Sequence, residues 1–256
     1  MNPLKQKMRA GQVVVGMTAA ELLRPPLVKT YANAGADFIY IENEHSLLNP
    51  ATYADFLLCA QDNGLPVVAK TPYLDRGAIV KLLDSGTMNL QLPMTESAED
   101  VLTLHNWLKY PPLGERAVCC GYASTGYKPV DLATFIREQN EDTMLIAHVE
   151  TKKGVDAIDE ILGTGIVDLV FIGQDDMSIS VGAPGDHQDP RHVAAIQRVA
   201  GAARRHNVFF GLFAPGIDSA KRWIDEGALF FEAADELMLI DQGARALLDD
   251  FRALCG

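Results

Sequence analysis

The segment Leu169-Val170-Phe171-Ile172-Gly173-Gln174-Asp175-Asp176 passes from four consecutive apolar residues straight into a glycine and two carboxylates. Apolar residues on successive rather than alternating positions suit a strand buried on both faces, as in a parallel sheet. Seven further short, largely apolar runs occur at residues 12–17, 37–42, 66–70, 89–92, 144–149, 209–213 and 229–233. Residues 51–63, 76–85, 97–108, 152–162, 191–207, 218–226 and 236–254 read as amphipathic helices between or after them. Strands and helices alternating in this way predict an α/β fold closed as a (β/α)8, or TIM, barrel. Asn63-Gly64, Ser85-Gly86 and Glu226-Gly227 each place glycine where a helix would end. No Pro-, Gly- or Ser-rich linker divides the chain, so one domain is expected over residues 1–256. The longest stretch without a clear element, residues 110–130, reads as a loop of a length that usually serves or covers a site.

Composition narrows the function. Of 256 residues, 48% are hydrophobic and 22% charged, enough for a large core without staples. The 22 basic and 34 acidic residues give a net charge of −12. That balance lacks the electrostatic footprint of a nucleic-acid binder and gives no attraction to anionic lipid. Residues 1–9 are basic, but the apolar run that follows, Val13-Val14-Val15, is too short for a signal-peptide core. Cys59, Cys119, Cys120 and Cys255 show no zinc-site spacing, so idle thiols in a reducing cytoplasm are expected.

In such a barrel the catalytic groups project from the C-terminal ends of the strands. Reading just past each run gives Glu42-Asn43-Glu44-His45, Lys70, His148-Val149-Glu150 and Gly173-Gln174-Asp175-Asp176. Four strand ends thus deliver His, Lys and carboxylates to one rim. Glu150 and Asp176 offer oxygen ligands to a hard divalent cation such as magnesium or manganese, and cobalt is compatible. A 2-oxo acid would chelate that cation, which would polarise its carbonyl. Lys70 would face developing negative charge, and His45 would move the proton. Taken alone, Asp176 also suits a helix N-cap, His45 a solvated side chain and Lys70 a surface lysine. His105, His187, His192 and His206 have no supporting constellation and read as structural.

The chain resembles the HpcH/HpaI aldolase family, the metal-dependent class II pyruvate aldolases, with a phosphoenolpyruvate/pyruvate-domain-like barrel. Glu42-Asn43-Glu44-His45 resembles the family's Asp-x-Glu-His segment. Tyr110-Pro111-Pro112-Leu113-Gly114-Glu115-Arg116 is similar to its Tyr-Pro-Pro-x-Gly-x-Arg loop, and Val149-Glu150-Thr151 to its Val-Glu-Thr. Residues 171–178 resemble its Phe-Ile-Gly-Pro-x-Asp-Leu-Ser run. The resemblance implies that His45 is the catalytic base, that Asp84 raises its basicity, and that Glu150 and Asp176 hold the metal. It places Asp175 where loop backbone contacts substrate, and His148, also a substrate-binding position, beside the metal ligand. It further implies retro-aldol cleavage of 4-hydroxy-2-oxo acids to pyruvate and an aldehyde by a homo-oligomer, a trimer or hexamer with an exchanged C-terminal helix.

Three positions depart from the pattern: Lys70 stands for Arg, His148 for Gln and Glu42 for Asp. An ammonium is a point charge where a guanidinium is a bidentate fork, so the departures bear on substrate and reaction. Two other functions stay open on the residues: a Schiff-base aldolase using Lys70, and a non-catalytic barrel that binds a small acid.

Overall fold

Strands β1 (Val14–Ala19), β2 (Phe38–Ile41), β3 (Val67–Lys70) and β4 (Asn89–Leu92) pair in parallel, each with the next. β5 (Met144–Val149), β6 (Leu169–Ile172), β7 (Phe209–Phe213) and β8 (Phe230–Asp235) continue the series, and β8 pairs back onto β1. The computed structural model, which describes residues 1–255, is therefore a closed eight-stranded (β/α)8 barrel, as the sequence predicts. All eight expected runs are strands; β4, β5, β6 and β7 keep the expected ends, and the ends of the other four shift by at most two residues. No helix among the described residues is long and apolar enough to cross a membrane.

The helices are α1 (Pro3–Arg9), α2 (Pro25–Ala34), α3 (Pro50–Asp62), α4 (Arg76–Asp84), α5 (Ala98–Leu108) and α6 (Leu132–Asp142). They continue as α7 (Lys152–Asp156), α8 (Ile158–Gly163), α9 (Gln174–Ser180), α10 (Pro190–His206), α11 (Ile217–Asp225) and α12 (Glu236–Cys255). Gly64, Gly86 and Gly227 adopt positive φ just past α3, α4 and α11, the expected cap positions. The sequence reading lacked α1, α2, α6 and α9, and the helix expected at 152–162 breaks at Ala157. α2 starts on Pro25 and Pro26, which lack the N–H that a first helical turn leaves unpaired anyway.

Two apolar layers hold the barrel. One lies between strands and helices, where residues such as Ile39, Ala69, Leu90 and Val170 are fully buried. The other fills the barrel interior with Val14, Phe38, Val68, Met144, Leu169 and Phe230. Phe38 and Phe230 stack at 4.4 Å, and the Phe38 ring crosses β1 where a Cβ on Gly16 would stand 2.3 Å from it. α1 closes the N-terminal end of the barrel by inserting Leu4 and Met8 into this interior cluster. Asn2 caps α1 and donates to the side chain of Asn89 at 2.6 Å, while Lys5 pairs with Asp168 at 2.7 Å. The interior is thus apolar below, where α1 caps it, and polar above.

Leu4→Ala is expected to lower unfolding free energy by about 2–4 kcal/mol in urea denaturation, the usual cost of a buried leucine-sized cavity. A loss below about 1 kcal/mol would mean that α1 does not seal the barrel.

Candidate active site

Side chains on one face of a strand recur every second residue, so each inward apolar position has a partner one step nearer the C-terminal rim. Phe38 leads to Tyr40, Val68 to Lys70, Asn89 to Gln91, Ile146 to His148, and Phe230 to Glu232. Tyr40, Lys70, His148 and Glu232, with the loops that follow the strands, line a cavity of about 560 Å³ at the C-terminal mouth of the barrel, and Gln91 lies behind His148. His45, Lys70, His148, Glu150, Asp175 and Asp176 all border it, together with Tyr40, Glu42, Glu232 and Asp235. Of the seven site residues expected from sequence, only Asp84 lies elsewhere.

Lys70 is buried, and its Nζ lies 2.6 Å from Glu44 Oε2 and 3.4 Å from Glu42 Oε2. Burial disfavours its charge, but Glu42, Glu44 and Glu150 outweigh burial and hold its pKa above the ordinary lysine value. Glu42 also accepts backbone N–H groups of Glu44 at 2.7 Å and His45 at 3.1 Å, which shapes the loop that carries His45. His45 itself is exposed, with Nε2 3.5 Å from Glu44 Oε2. Ligand-type atoms of Glu42, Glu44 and His45 lie within 4.8 Å of one another. That cluster already contains a cation, because the Lys70 ammonium sits against both carboxylates.

On the facing side, the Gln91 amide meets His148 Nδ1 at 3.0 Å. His148 Nε2 is 3.2 Å from Glu150 Oε2 but poorly aligned with it, and is left without a hydrogen-bond partner. Burial, then Lys70 and His45, push the His148 pKa well down, so the imidazole is neutral. Glu150, 2% exposed, accepts the Met94 N–H at 2.7 Å through Oε1. Burial pushes its carboxyl up to about 7 against the lowering pull of that N–H and of Lys70, with Asp176 and Glu44 adding to the rise. A Cβ at Gly173 would stand 2.5 Å from His148 Nε2 and 2.8 Å from Glu150 Oε2, so glycine there leaves these groups their room.

A divalent cation fits this donor set. Glu150 is a buried carboxylate whose own neighbourhood makes its charge costly, and Asp176, exposed in the first turn of α9, brings a second. Two carboxylates beside open space match magnesium or manganese, which keep water or substrate oxygens in their remaining positions. The α9 turn is braced by His192, whose Nε2 lies 2.9 Å from the Gln174 carbonyl oxygen, and by Gln174 donating to the Phe213 carbonyl at 2.7 Å. Asp175 pairs with His187 at 3.0 Å, so His187, expected to be structural, stands at the cavity edge.

Asp84 ends α4, the helix that returns from the rim to the opposite face, and does not meet His45 within the chain. It pairs with Arg116 at 3.2 Å. Arg116 is buried, lies over the Tyr110 ring at 4.6 Å and reaches Gln139 at 3.3 Å. The Tyr110–Arg116 motif therefore anchors a guanidinium for Asp84; at Gly114 a Cβ would fall 2.5 Å from the Lys109 carbonyl. Residues 110–130, expected to cover the site, instead connect α5 to α6 at the end of the barrel away from the cavity, because α5 has already run down from the rim. Tyr40, Gln91 and Glu232 lie inside the expected runs, where residues past the strand ends give no sign of them; stepping two residues up from Phe38, Asn89 and Phe230 finds all three, while Asp235 lies two residues past the run 229–233.

The profile of the HpcH/HpaI aldolase/citrate lyase family matches residues 20–241. A 5-keto-4-deoxy-D-glucarate aldolase of Shigella boydii is 27% identical over 251 residues, covering 98% of this chain and 96% of its own. The crystal structure of an HpcH/HpaI aldolase from Desulfitobacterium hafniense superposes with a TM-score of 0.92 at 30% identity, covering 97% and 96%. A family protein from Burkholderia cenocepacia superposes at 0.90 with 25% identity, covering 98% and 100%. With a barrel closed in the same way and a carboxylate-rich mouth, the chain belongs to the HpcH/HpaI aldolase/citrate lyase family and is an aldolase-type carbon–carbon lyase.

Proposed function

We propose that the cavity cleaves 4-hydroxy-2-oxo acids to pyruvate and an aldehyde with the help of a divalent metal, magnesium or manganese. The observation that carries this reading is Glu150, a buried carboxylate with no buried cation of its own, facing Asp176 across space that Gly173 keeps clear. Glu150 and Asp176 would hold the metal, which supplies Lewis-acid polarisation of the 2-oxo group and charge stabilisation for the enolate. His45, exposed at the mouth, takes the proton of the C4 hydroxyl. The C3–C4 bond then breaks, C4 leaves as the aldehyde carbonyl, and the electron pair remains on the pyruvate enolate. Proton return to C3 completes pyruvate.

Lys70 enters as a fixed positive charge for the substrate carboxylate or enolate oxygen. With the Gln91 amide donating to Nδ1, the neutral His148 carries its proton on Nε2 and offers it to a substrate oxygen. The backbone around Asp175 borders the same space. A Schiff base at Lys70 is disfavoured, because two carboxylates keep its amine protonated and non-nucleophilic.

The active unit in this reading is a homo-oligomer, a trimer or hexamer. Leu247, Phe251 and Leu254 on α12 are 59%, 62% and 84% exposed, an apolar face that a second copy would cover. Asp84 then acts on the His45 of another copy, held ready by Arg116. A reducing, cytoplasmic setting suits the unpaired thiols of Cys59, Cys119 and Cys120.

Metal-stripped protein is expected to release no pyruvate from a panel of 4-hydroxy-2-oxo acids until magnesium or manganese is added. Turnover indifferent to chelation, or a borohydride-reduced pyruvate adduct on Lys70, would contradict the reading. His45→Ala is expected to lower kcat by a factor of about 100 or more while metal binding persists. Mixing inactive H45A and D84N proteins after dissociation and reassembly is expected to restore part of the activity; no recovery would place Asp84 outside the reaction.

A further inference from the structure

Glu232 is a buried acid that the proposed reaction does not use. It sits on the inward face of β8, one step above Phe230, in register with Phe213 of β7 and Gly16 of β1. It is 5% exposed, borders the cavity, and among the described residues its Oε1 has no hydrogen-bond partner. An ionised carboxylate in that position would need donors or a counter-ion. The one ammonium lining the cavity, Lys70, is already bonded to Glu44 and Glu42. Burial pushes the Glu232 pKa well up, Lys70 pulls it down and Glu42 adds to the rise, so the group keeps its proton.

A protonated carboxyl donates one hydrogen bond and accepts another, which is the pattern an alcohol hydroxyl returns. The metal pair and the Lys70–His45 side occupy the walls of β5–β6 and β2–β3. The wall formed by β7, β8, β1 and the start of α11, with Thr18, Phe213, Ser219 and Asp235, is left for the rest of the substrate. We infer that Glu232 binds a hydroxyl on the aldehyde-derived half of the substrate and so selects hydroxylated aldehydes over those bearing a carboxylate. This rests on the aldolase reading and deepens it. A second carboxylate there would face Asp235 and Glu42 with no free cation among the described residues lining the cavity, whereas a hydroxyl satisfies the orphaned acid.

The test compares three 4-hydroxy-2-oxo acids whose aldehyde half ends in a hydroxyl, a methyl or a carboxylate, with wild type, E232Q and E232L. The wild-type protein is expected to favour the hydroxyl compound over both others by about tenfold or more in kcat/KM. E232L is expected to erase that preference, chiefly through KM, and E232Q, which still donates and accepts, to retain part of it. If E232L does not fold, E232D, which retracts the acid by one methylene, is expected to lose the preference likewise. A preference left intact in E232L, or an equal fall on all three compounds, overturns the proposal. Should wild type turn over none of them, calorimetric binding of the same compounds with manganese present decides: a hydroxyl preference lost in E232L upholds Glu232 while the aldolase reading falls. Binding without that preference, or no binding, overturns both.

Discussion

Carboxylates crowded around one ammonium govern the mouth of this barrel. Glu42, Glu150, Asp175, Asp176, Glu232 and Asp235 line a cavity that contains one lysine and no arginine among the described residues. Like charges in a partly buried space repel strongly, so each carboxylate must find a cation, a proton, backbone donors or water. The structure distributes these remedies. Lys70 serves Glu42 and Glu44, His187 serves Asp175, and burial keeps a proton on Glu232. Glu150 has one backbone N–H and its raised carboxyl pKa, a balance that a divalent cation would complete.

The fold makes that crowding affordable by separating it from the core. Below the polar layer the interior is apolar and sealed by α1, so the strands hold their places without help from the charged groups. Above it, close approaches depend on missing side-chain atoms, as at Gly173 beside His148 and Glu150. The departures at Lys70, His148 and Glu42 form a connected set. Lys70 bonds Glu42, and His148 is kept neutral in part by Lys70. A point charge tied to two acids leaves less positive potential for substrate than a free fork would. In the proposed reaction that constraint would favour neutral hydrogen-bonding groups on the substrate.

The strands were legible because four consecutive apolar residues, as at Leu169–Ile172, can be satisfied only with both faces covered. The strand-end residues follow from the same register, which is why the sequence alone places His45, Lys70, Glu150 and Asp176 at the rim where they border the cavity. Asp84 came only from resemblance, because its partner within the chain is Arg116, brought from 32 positions away. Glu232 was hidden for a different reason. It sits inside an apolar-looking strand, where a single acid carries no periodic signal, and only the barrel's inward alternation gives it a role. α2 and α6 were missed although Pro25 and Asp131 are ordinary helix starts, because the strand spacing had already accounted for the fold.

Glu150 and Asp176 acting as one metal site carry the proposed reaction. Water-proton relaxation during titration with manganese would read that site whatever the substrate. Wild type is expected to bind one ion per chain, and E150Q and D176N each to bind it about tenfold or more weakly. Affinity unchanged in those variants, but lost in E42Q or E44Q, would move the metal to the Lys70 side of the cavity and contradict the account.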